Sequence, residues 1–147
     1  MSLKIELENN LKKAMLAKEN VKRDVIRMAL SSIKQLEKDS GKELSDQDYM
    51  VVLQKEIKTK EETISEAKSA ERDEMIPPIL EEIDILRQFL PKELSDEELT
   101  TLVKEIIADT NAESMKEMGI VMKETISRAA GAATNDRISR TIRDFLK

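Results

Sequence analysis

The sequence predicts an all-α protein, with a helical N-terminal domain of about four helices followed by a small three-helix C-terminal domain. Charged residues make up 37% of the 147 residues and aromatic residues only 2%, which is typical of helical proteins. Three glycines and three prolines leave little material for the turns of a sheet. Apolar residues also recur at helical spacing along most of the chain.

The first two helices are predicted from apolar spacing and from a polar break between them. Helix one covers residues 3–17, and the polar stretch 18–20 ends it. Helix two runs from a cap at Asn20 to about Asp39, and Gly41 suits the left-handed position after its end. The broad apolar arc of helix two indicates a central helix with several neighbours. The residues expected to face the core are Leu3, Leu7, Leu11, Ala14, Leu16, Ala17, Val21, Val25, Ile26, Met28, Leu30, Ile33 and Leu36.

Helix three is expected to be the longest, and a short proline-containing corner separates it from helix four. Ser45 and Asp48 can form a capping box that opens helix three. Helix four is expected to begin near Pro77 or Pro78, because proline fits the first turn of a helix, where its missing N–H would have had no partner. The residues expected to face the core are Met50, Leu53, Ile57, Ile64, Ala67, Ile79, Leu80, Ile83, Leu86 and Leu90.

A stop and a start within ten residues predict a domain boundary. Pro91 has no N–H to donate and disfavours helical geometry at the residue before it, so it ends helix four. Ser95 and Glu98 can then form a second capping box that opens a new helix. These signals divide the chain into an N-terminal domain, residues 1–90, and a C-terminal domain, residues 91–147.

Three shorter helices are predicted in the C-terminal domain. The first covers residues 96–110, the second opens at a capping box of Ser114 and Glu117, and Thr134 caps the third. Gly119 costs about 1 kcal/mol relative to alanine in a helix interior, which favours a close helix crossing at that position. The residues expected in the core are Leu99, Leu102, Val103, Ile106, Met115, Met118, Val121, Met122, Ile126, Ile138, Ile142, Phe145 and Leu146.

Composition argues against several functions. The net charge is −5. The chain contains no cysteine and no histidine, so we expect no disulfide, no cofactor, no metal site and no general base of the usual kind. No nucleophile motif or glycine-rich phosphate loop is visible, and no catalytic residue is predicted. The sequence shows no signal peptide and no stretch of about 18 apolar residues, which predicts a cytoplasmic protein with no membrane partner.

Polar clusters on the predicted helices have simple explanations. The polar face of helix three favours solvation and i,i+4 pairing, as between Glu56 and Lys60, over a partner site. Its other members are Lys58, Glu62 and Thr63. Acidic runs at residues 73–74 and 81–82 are more typical of a solvated face than of paired catalytic carboxylates. The methionines of the sixth helix favour core filling over an adaptable binding surface.

The charge distribution of the C-terminal residues is more informative. Residues 116–147 hold seven basic and four acidic side chains, against two basic and seven acidic in residues 91–115. Four basic residues of the last helix fall within about 120° at 100° per residue. Arginines on one exposed face suit phosphate contacts, and solvated, ion-paired arginines are the alternative. The candidate nucleic-acid-binding residues are Lys123, Arg128, Arg137, Arg140, Arg143 and Lys147.

Several short motifs occur in a characteristic order. They are Leu90-Pro91-Lys92-Glu93-Leu94-Ser95, then Glu97-Glu98-Leu99, then Met118-Gly119-Ile120-Val121-Met122, with Lys55, Lys58, Lys60, Glu62, Thr63 and Ile64 in helix three and arginines at Arg27 and Arg72. In this order and spacing the chain resembles the YqeY-like proteins of the GatB/YqeY family over essentially its full length. The family often has a basic residue at the position of Ala132, and this chain does not.

The resemblance implies a helical N-terminal domain followed by a three-helix domain. It also implies similarity to the tail of the B subunit of the tRNA-dependent amidotransferase, a non-catalytic part that contacts tRNA. The leading hypothesis is therefore a non-catalytic helical module associated with tRNA or with this amidotransferase machinery. An adaptor that binds another protein without RNA contact is the second hypothesis. An enzyme with carbon–nitrogen ligase or hydrolase activity, with glutamine as amide donor, is ranked last.

Overall fold

The computed structural model describes residues 2–42 and 44–146, and helices carry most of these residues, with no β-strand among them. The all-α prediction is confirmed. The seven α-helices of the described chain are α1 (Leu3–Leu16), α2 (Asn20–Ser40), α3 (Asp46–Ser69), α4 (Ile76–Arg87), α5 (Asp96–Thr110), α6 (Met118–Ala129) and α7 (Asn135–Phe145). Single 3-10 turns, Asp73–Met75 and Met115–Glu117, come before α4 and α6. The chain forms two compact units, unit 1 (Met1–Leu90) and unit 2 (Pro91–Lys147).

Local capping signals determine most helix starts. All three predicted capping boxes form, and their members are Ser45 with Asp48, Ser95 with Glu98, and Ser114 with Glu117. The third box opens the 3-10 turn that leads into α6 rather than α6 itself. Gly41 takes the predicted left-handed conformation after α2, with φ +66°. The prediction of Asn20 as a cap is wrong, because Glu19 holds that position without a side-chain hydrogen bond.

Unit 1 is a four-helix assembly in which the first four helices share one core. α2 contacts each of the other three helices, as its broad apolar arc predicted, and α3 is the longest helix of the described chain. The fully buried large side chains of this core are Leu7, Ile26, Ile33, Leu53 and Leu86. Leu16, Ala17, Val21, Met28 and Leu80 were expected in the core and are instead exposed. The apolar stripes are wider than the faces that meet neighbouring helices, so side chains at their margins stay in water.

Unit 2 packs α5, α6 and α7 around a second core, whose fully buried apolar side chains are Leu99, Val103, Ile106, Val121, Ile138 and Ile142. Phe145 was expected in this core and is exposed, with the Lys104 ammonium 5.1 Å from its ring centre. Leu146, also expected in the core, is buried just beyond the end of α7. The close helix crossing predicted at Gly119 is wrong, because a Cβ atom there would meet nothing within 4 Å. Met115, another predicted core residue, is exposed as well.

Candidate nucleic-acid interface

The candidate interface is built on α7, whose two faces differ sharply. Thr134 accepts a hydrogen bond from the Arg137 N–H and so fixes the start of the helix. Ile138 and Ile142 are buried on the inner face. Arg140 and Arg143 are exposed on the outer face, one helical turn apart. The Arg140 Nε–H donates only to the Asp136 carbonyl of the same helix, at 3.4 Å.

Arg137 binds α7 to the start of α5 and is not free. Its Nη2 donates to the Leu94 carbonyl oxygen at 2.9 Å and to Asp96 Oδ1 at 3.0 Å. The Leu94 N–H in turn donates to the Ala132 carbonyl oxygen at 2.8 Å. This set of bonds joins the segment before α5 to the residues before α7, which makes Arg137 a structural link inside unit 2.

Arg128 is also engaged, although it lies at the surface. Its Nε is 3.0 Å from a Glu124 carboxylate oxygen, and its Nη1 is 3.2 Å from an oxygen of Asp109 on α5. Hydrogen bonds donated to these two carboxylates raise the pKa of the Arg128 guanidinium. A phosphate would have to compete with both carboxylates for this side chain.

Of the six predicted candidates, Lys123, Arg140 and Arg143 remain accessible. All three are exposed, and the residues that the structure describes give none of them an ion pair. Lys147, the sixth candidate, lies outside the described residues. The interface available for phosphate contacts is therefore the α7 pair, with Lys123 on α6 as a further exposed cation.

A shallow groove lies beside α5 and the end of α6, with a volume of about 490 Å³. Its apolar floor includes Leu94, Leu102 and Ala129, and three glutamates of α5 contribute carboxylates. Its lining residues are Leu94, Glu97, Glu98, Thr101, Leu102, Glu105, Arg128 and Ala129. Because Arg128 is already paired with carboxylates, the groove presents a net negative surface around an apolar floor. The groove is not visible in the sequence, because its two sides, residues 94–105 and 128–129, are far apart in the chain.

Comparison with known proteins identifies the family. The sequence profile described as "Yqey-like protein" matches residues 4–146. This chain belongs to that family. A relative, "Altered inheritance of mitochondria protein 41, mitochondrial" from Kluyveromyces lactis, is 36% identical over 107 residues. The aligned region covers 70% of this chain and 57% of the relative, so the chain spans just over half of that protein's length.

In this YqeY-like protein, the predicted polar face of α3 forms links to neighbouring helices. Ser32 on α2 donates to Glu56 at 2.7 Å, and Lys60 forms an ion pair with Glu82 on α4 at 2.9 Å. Lys60 was expected to pair with Glu56, but its nearest carboxylate belongs to α4. Burial raises the pKa of Glu56, while the Ser32 hydroxyl and the charge of Lys60 act in the opposite direction. These links position three helices, so solvation alone does not describe this face.

Ala132 lies at the position where the resemblance led us to expect a basic residue. Its side chain is buried and its carbonyl accepts the Leu94 N–H. This YqeY-like protein therefore has packing and backbone pairing, rather than a cation, at the turn before α7. None of the described helices is long and apolar enough to cross a membrane. Within residues 2–42 and 44–146 no group of three or more acidic, histidine or cysteine side chains is arranged to hold a metal ion.

Proposed function

We propose that this YqeY-like protein is a non-catalytic helical module that associates with tRNA or with tRNA-dependent amidotransferase machinery through the outer face of α7. The observation that supports this proposal is the Arg140–Arg143 pair, which is exposed and has no carboxylate partner among the described residues. Guanidinium groups in this state can bind phosphate oxygens without first breaking an internal ion pair. Lys123 contributes a third cation.

Salt dependence tests the RNA contact. Each phosphate neutralised adds about 0.7 to the log–log slope for a single strand, so three contacts give a slope of about −2. Labelled tRNA is titrated with the wild type and with the Arg140→Glu/Arg143→Glu double variant at low and moderate salt. We expect the double variant to lose binding while it keeps its helix content, because both side chains point away from the core.

A matched control separates a local contact from a general charge effect. Lys34→Glu/Lys38→Glu changes the net charge by the same amount on α2, where both lysines are exposed. This control should bind tRNA with an affinity close to that of the wild type. Equal affinity of the wild type and the α7 double variant, or equal losses in both double variants, contradicts the α7 interface.

The groove beside α5 favours the second hypothesis, a protein-binding adaptor. An apolar floor with carboxylates around it suits a cationic, amphipathic segment of another protein. Thr101 lies in this groove, and its Oγ1 donates to the Glu97 carbonyl one turn earlier. Thr101→Arg should therefore block such a segment and reduce the local negative charge. Thr59→Arg is a matched control, because Thr59 is exposed on α3 and makes the same bond to the Lys55 carbonyl.

Pull-down from a lysate with and without ribonuclease compares the two hypotheses. Partners that are lost after ribonuclease and in the α7 double variant support RNA association. Partners that resist ribonuclease and are lost only with Thr101→Arg support the adaptor. Ammonia release from glutamine by the pure protein, above background, would support the enzyme hypothesis against both. The predicted cytoplasmic location stays a prediction, which microscopy of the tagged chain tests.

A further inference from the structure

The turn between α1 and α2 leaves three apolar side chains exposed, of which Met15 accepts a hydrogen bond at its sulfur from Arg27 Nη2 at 3.8 Å. We call residues 12–23 the hairpin tip, since they comprise the end of α1, the turn and the start of α2. Leu16 is 86% exposed, and Met15 and Val21 are exposed beside it in the chain. No other large apolar side chain of the described residues is as exposed as Leu16, and this exposure contributes nothing to folding, which favours a surface that Leu16 meets.

The hairpin tip is held in one conformation by its backbone. The Glu19 N–H donates to the Ala14 carbonyl at 2.9 Å, and the Lys18 N–H donates to the Met15 carbonyl at 3.3 Å. Lys18 itself has φ +57°, a conformation that glycine adopts at lower cost. The exposure of Leu16 is therefore a fixed feature of the turn and does not come from a frayed helix end.

The same twelve residues are strongly basic. They contain five basic side chains and one acidic side chain, a net charge of +4 in a chain whose total is −5, so all other residues together carry −9. Arg23 is paired with the neighbouring Asp24 at 2.9 Å. The four lysines have no ion pair within the described part of the chain, and they are Lys12, Lys13, Lys18 and Lys22.

Aliphatic side chains surrounded by free lysines fit one kind of surface best. A nucleic acid offers phosphates but gives leucine, methionine and valine nothing to contact, and the tip has no aromatic ring on which a base could stack. An anionic bilayer offers both phosphates and a hydrocarbon boundary. We propose that the hairpin tip docks on an anionic lipid bilayer, with Leu16 entering the boundary between headgroups and acyl chains.

The lack of a long apolar stretch predicted no membrane partner. Docking at the bilayer surface needs no spanning helix, so this lack does not argue against the proposal. Charges more than about 10 Å from the surface are screened at 0.1 M salt, so only acidic residues close to the tip oppose docking, and one of these, Asp24, is paired with Arg23. Each lysine near an anionic surface contributes about fivefold to the partition coefficient. Burying one leucine side chain adds about tenfold.

Tryptophan fluorescence tests the insertion of Leu16. The chain contains no tryptophan, so Leu16→Trp and the control Leu80→Trp each carry a single indole. Leu80 is an exposed leucine of α4, outside the tip. With vesicles of phosphatidylcholine and phosphatidylserine, the emission at position 16 should shift to the blue and that at position 80 should not. Vesicles of phosphatidylcholine alone should shift neither.

Vesicle sedimentation with unlabelled variants measures each contribution. Leu16→Ser should weaken binding about tenfold, and Leu80→Ser should leave it unchanged. Lys18→Gly should weaken binding about fivefold without loss of thermal stability, because glycine relieves the positive φ. Lys12→Gln/Lys13→Gln/Lys22→Gln should weaken binding about a hundredfold, whereas Lys34→Gln/Lys38→Gln/Lys55→Gln, outside the tip, should not.

Three results would overturn the proposal. The first is no binding to anionic vesicles at low salt. The second is binding that does not change with Leu16→Ser, which would leave only a general charge attraction. The third is release of the protein from vesicles by RNA at a lower concentration than is needed with competing lipid, together with RNA binding that requires the tip lysines but does not require Leu16. That last result would assign the hairpin tip to nucleic acid instead.

Discussion

In unit 2 two of the arginines expected on an RNA-binding surface are bonded to other residues of the chain, whereas in unit 1 the lysines of the hairpin tip have no ion-pair partner among the described residues. Arg137 donates to the Leu94 carbonyl, and Arg128 lies between Glu124 and Asp109. The tip lysines have no carboxylate within ion-pair distance among the described residues. The helical pattern of basic residues looks the same in both cases, so pattern alone does not distinguish a structural cation from an available one.

Carboxylates differ between the units in a parallel way. Glu98 and Glu117 of unit 2 close capping boxes, where hydrogen bonds, first from the backbone N–H of the cap serine, lower their pKa. Glu56 of unit 1 is half-buried between helices, and burial raises its pKa. The ionised forms of Glu98 and Glu117 therefore stabilise the fold, whereas the ionised form of Glu56 destabilises it.

The largest expected effect concerns the two kinds of arginine on α7. Arg137→Ala removes the bonds to the Leu94 carbonyl and to Asp96, and should lower the free energy of unfolding by about 1–3 kcal/mol. Arg140→Ala should change it by no more than about 0.5 kcal/mol, since this side chain is exposed and bonds only within its own helix. Urea unfolding followed by circular dichroism measures both. Equal losses for the two variants would remove the distinction between them.

Capping shows how much the sequence can predict. Each capping box joins residues three positions apart, so its members can be found from a short stretch of sequence. All three boxes were predicted in this way, and two of them gave the starts of α3 and α5. The box at the start of α5 lies within the family motif Leu90 to Leu99. The family resemblance also rests on such local features, and the family match over residues 4–146 confirms it.

Exposure and pairing depend on distant residues and were predicted less well. The partners of Arg137 lie 41 and 43 positions away, and no local pattern specifies them. Phe145 and Leu80 have the spacing of core residues but are exposed, and the Phe145 ring faces the Lys104 ammonium of α5 instead of the core. Gly119 suggested a close crossing, yet the space above it is open. The charge of the hairpin tip was visible in the sequence, whereas the exposure of Leu16 required the structure.

Acid unfolding should separate the two kinds of carboxylate, with changes smaller than that of Arg137→Ala. Glu98 has a pKa below its ordinary 4.5, so its contribution is present above pH 4.5 and is lost as the pH falls through the lowered pKa. Glu56 has a raised pKa, so ionisation destabilises unit 1 above that value and has no effect below pH 4.5.

The matched pair Glu98→Gln and Glu56→Gln tests these signs. At pH 7 we expect Glu98→Gln to be less stable than the wild type and Glu56→Gln to be more stable, because the amide oxygen can still accept from Ser32. Both differences should shrink toward pH 3. Thermal unfolding across this range measures them, and a loss of stability in Glu56→Gln at pH 7 would mean that its charge supports the link between α2 and α3.

The smallest expected effect concerns the tip lysines, and it sharpens the opening comparison most directly. Lys12→Gln/Lys13→Gln/Lys22→Gln should change the free energy of unfolding by no more than about 0.5 kcal/mol. Lys13 lies in the last turn of α1, where a positive charge is favourable, and Lys22 lies in the first turn of α2, where it is unfavourable. These two terms oppose each other, and the removal of repulsion within a segment of net charge +4 adds slightly to stability. A loss well above 1 kcal/mol would show that these lysines, like Arg137, support the fold, and they could then no longer be regarded as free to bind an anionic surface.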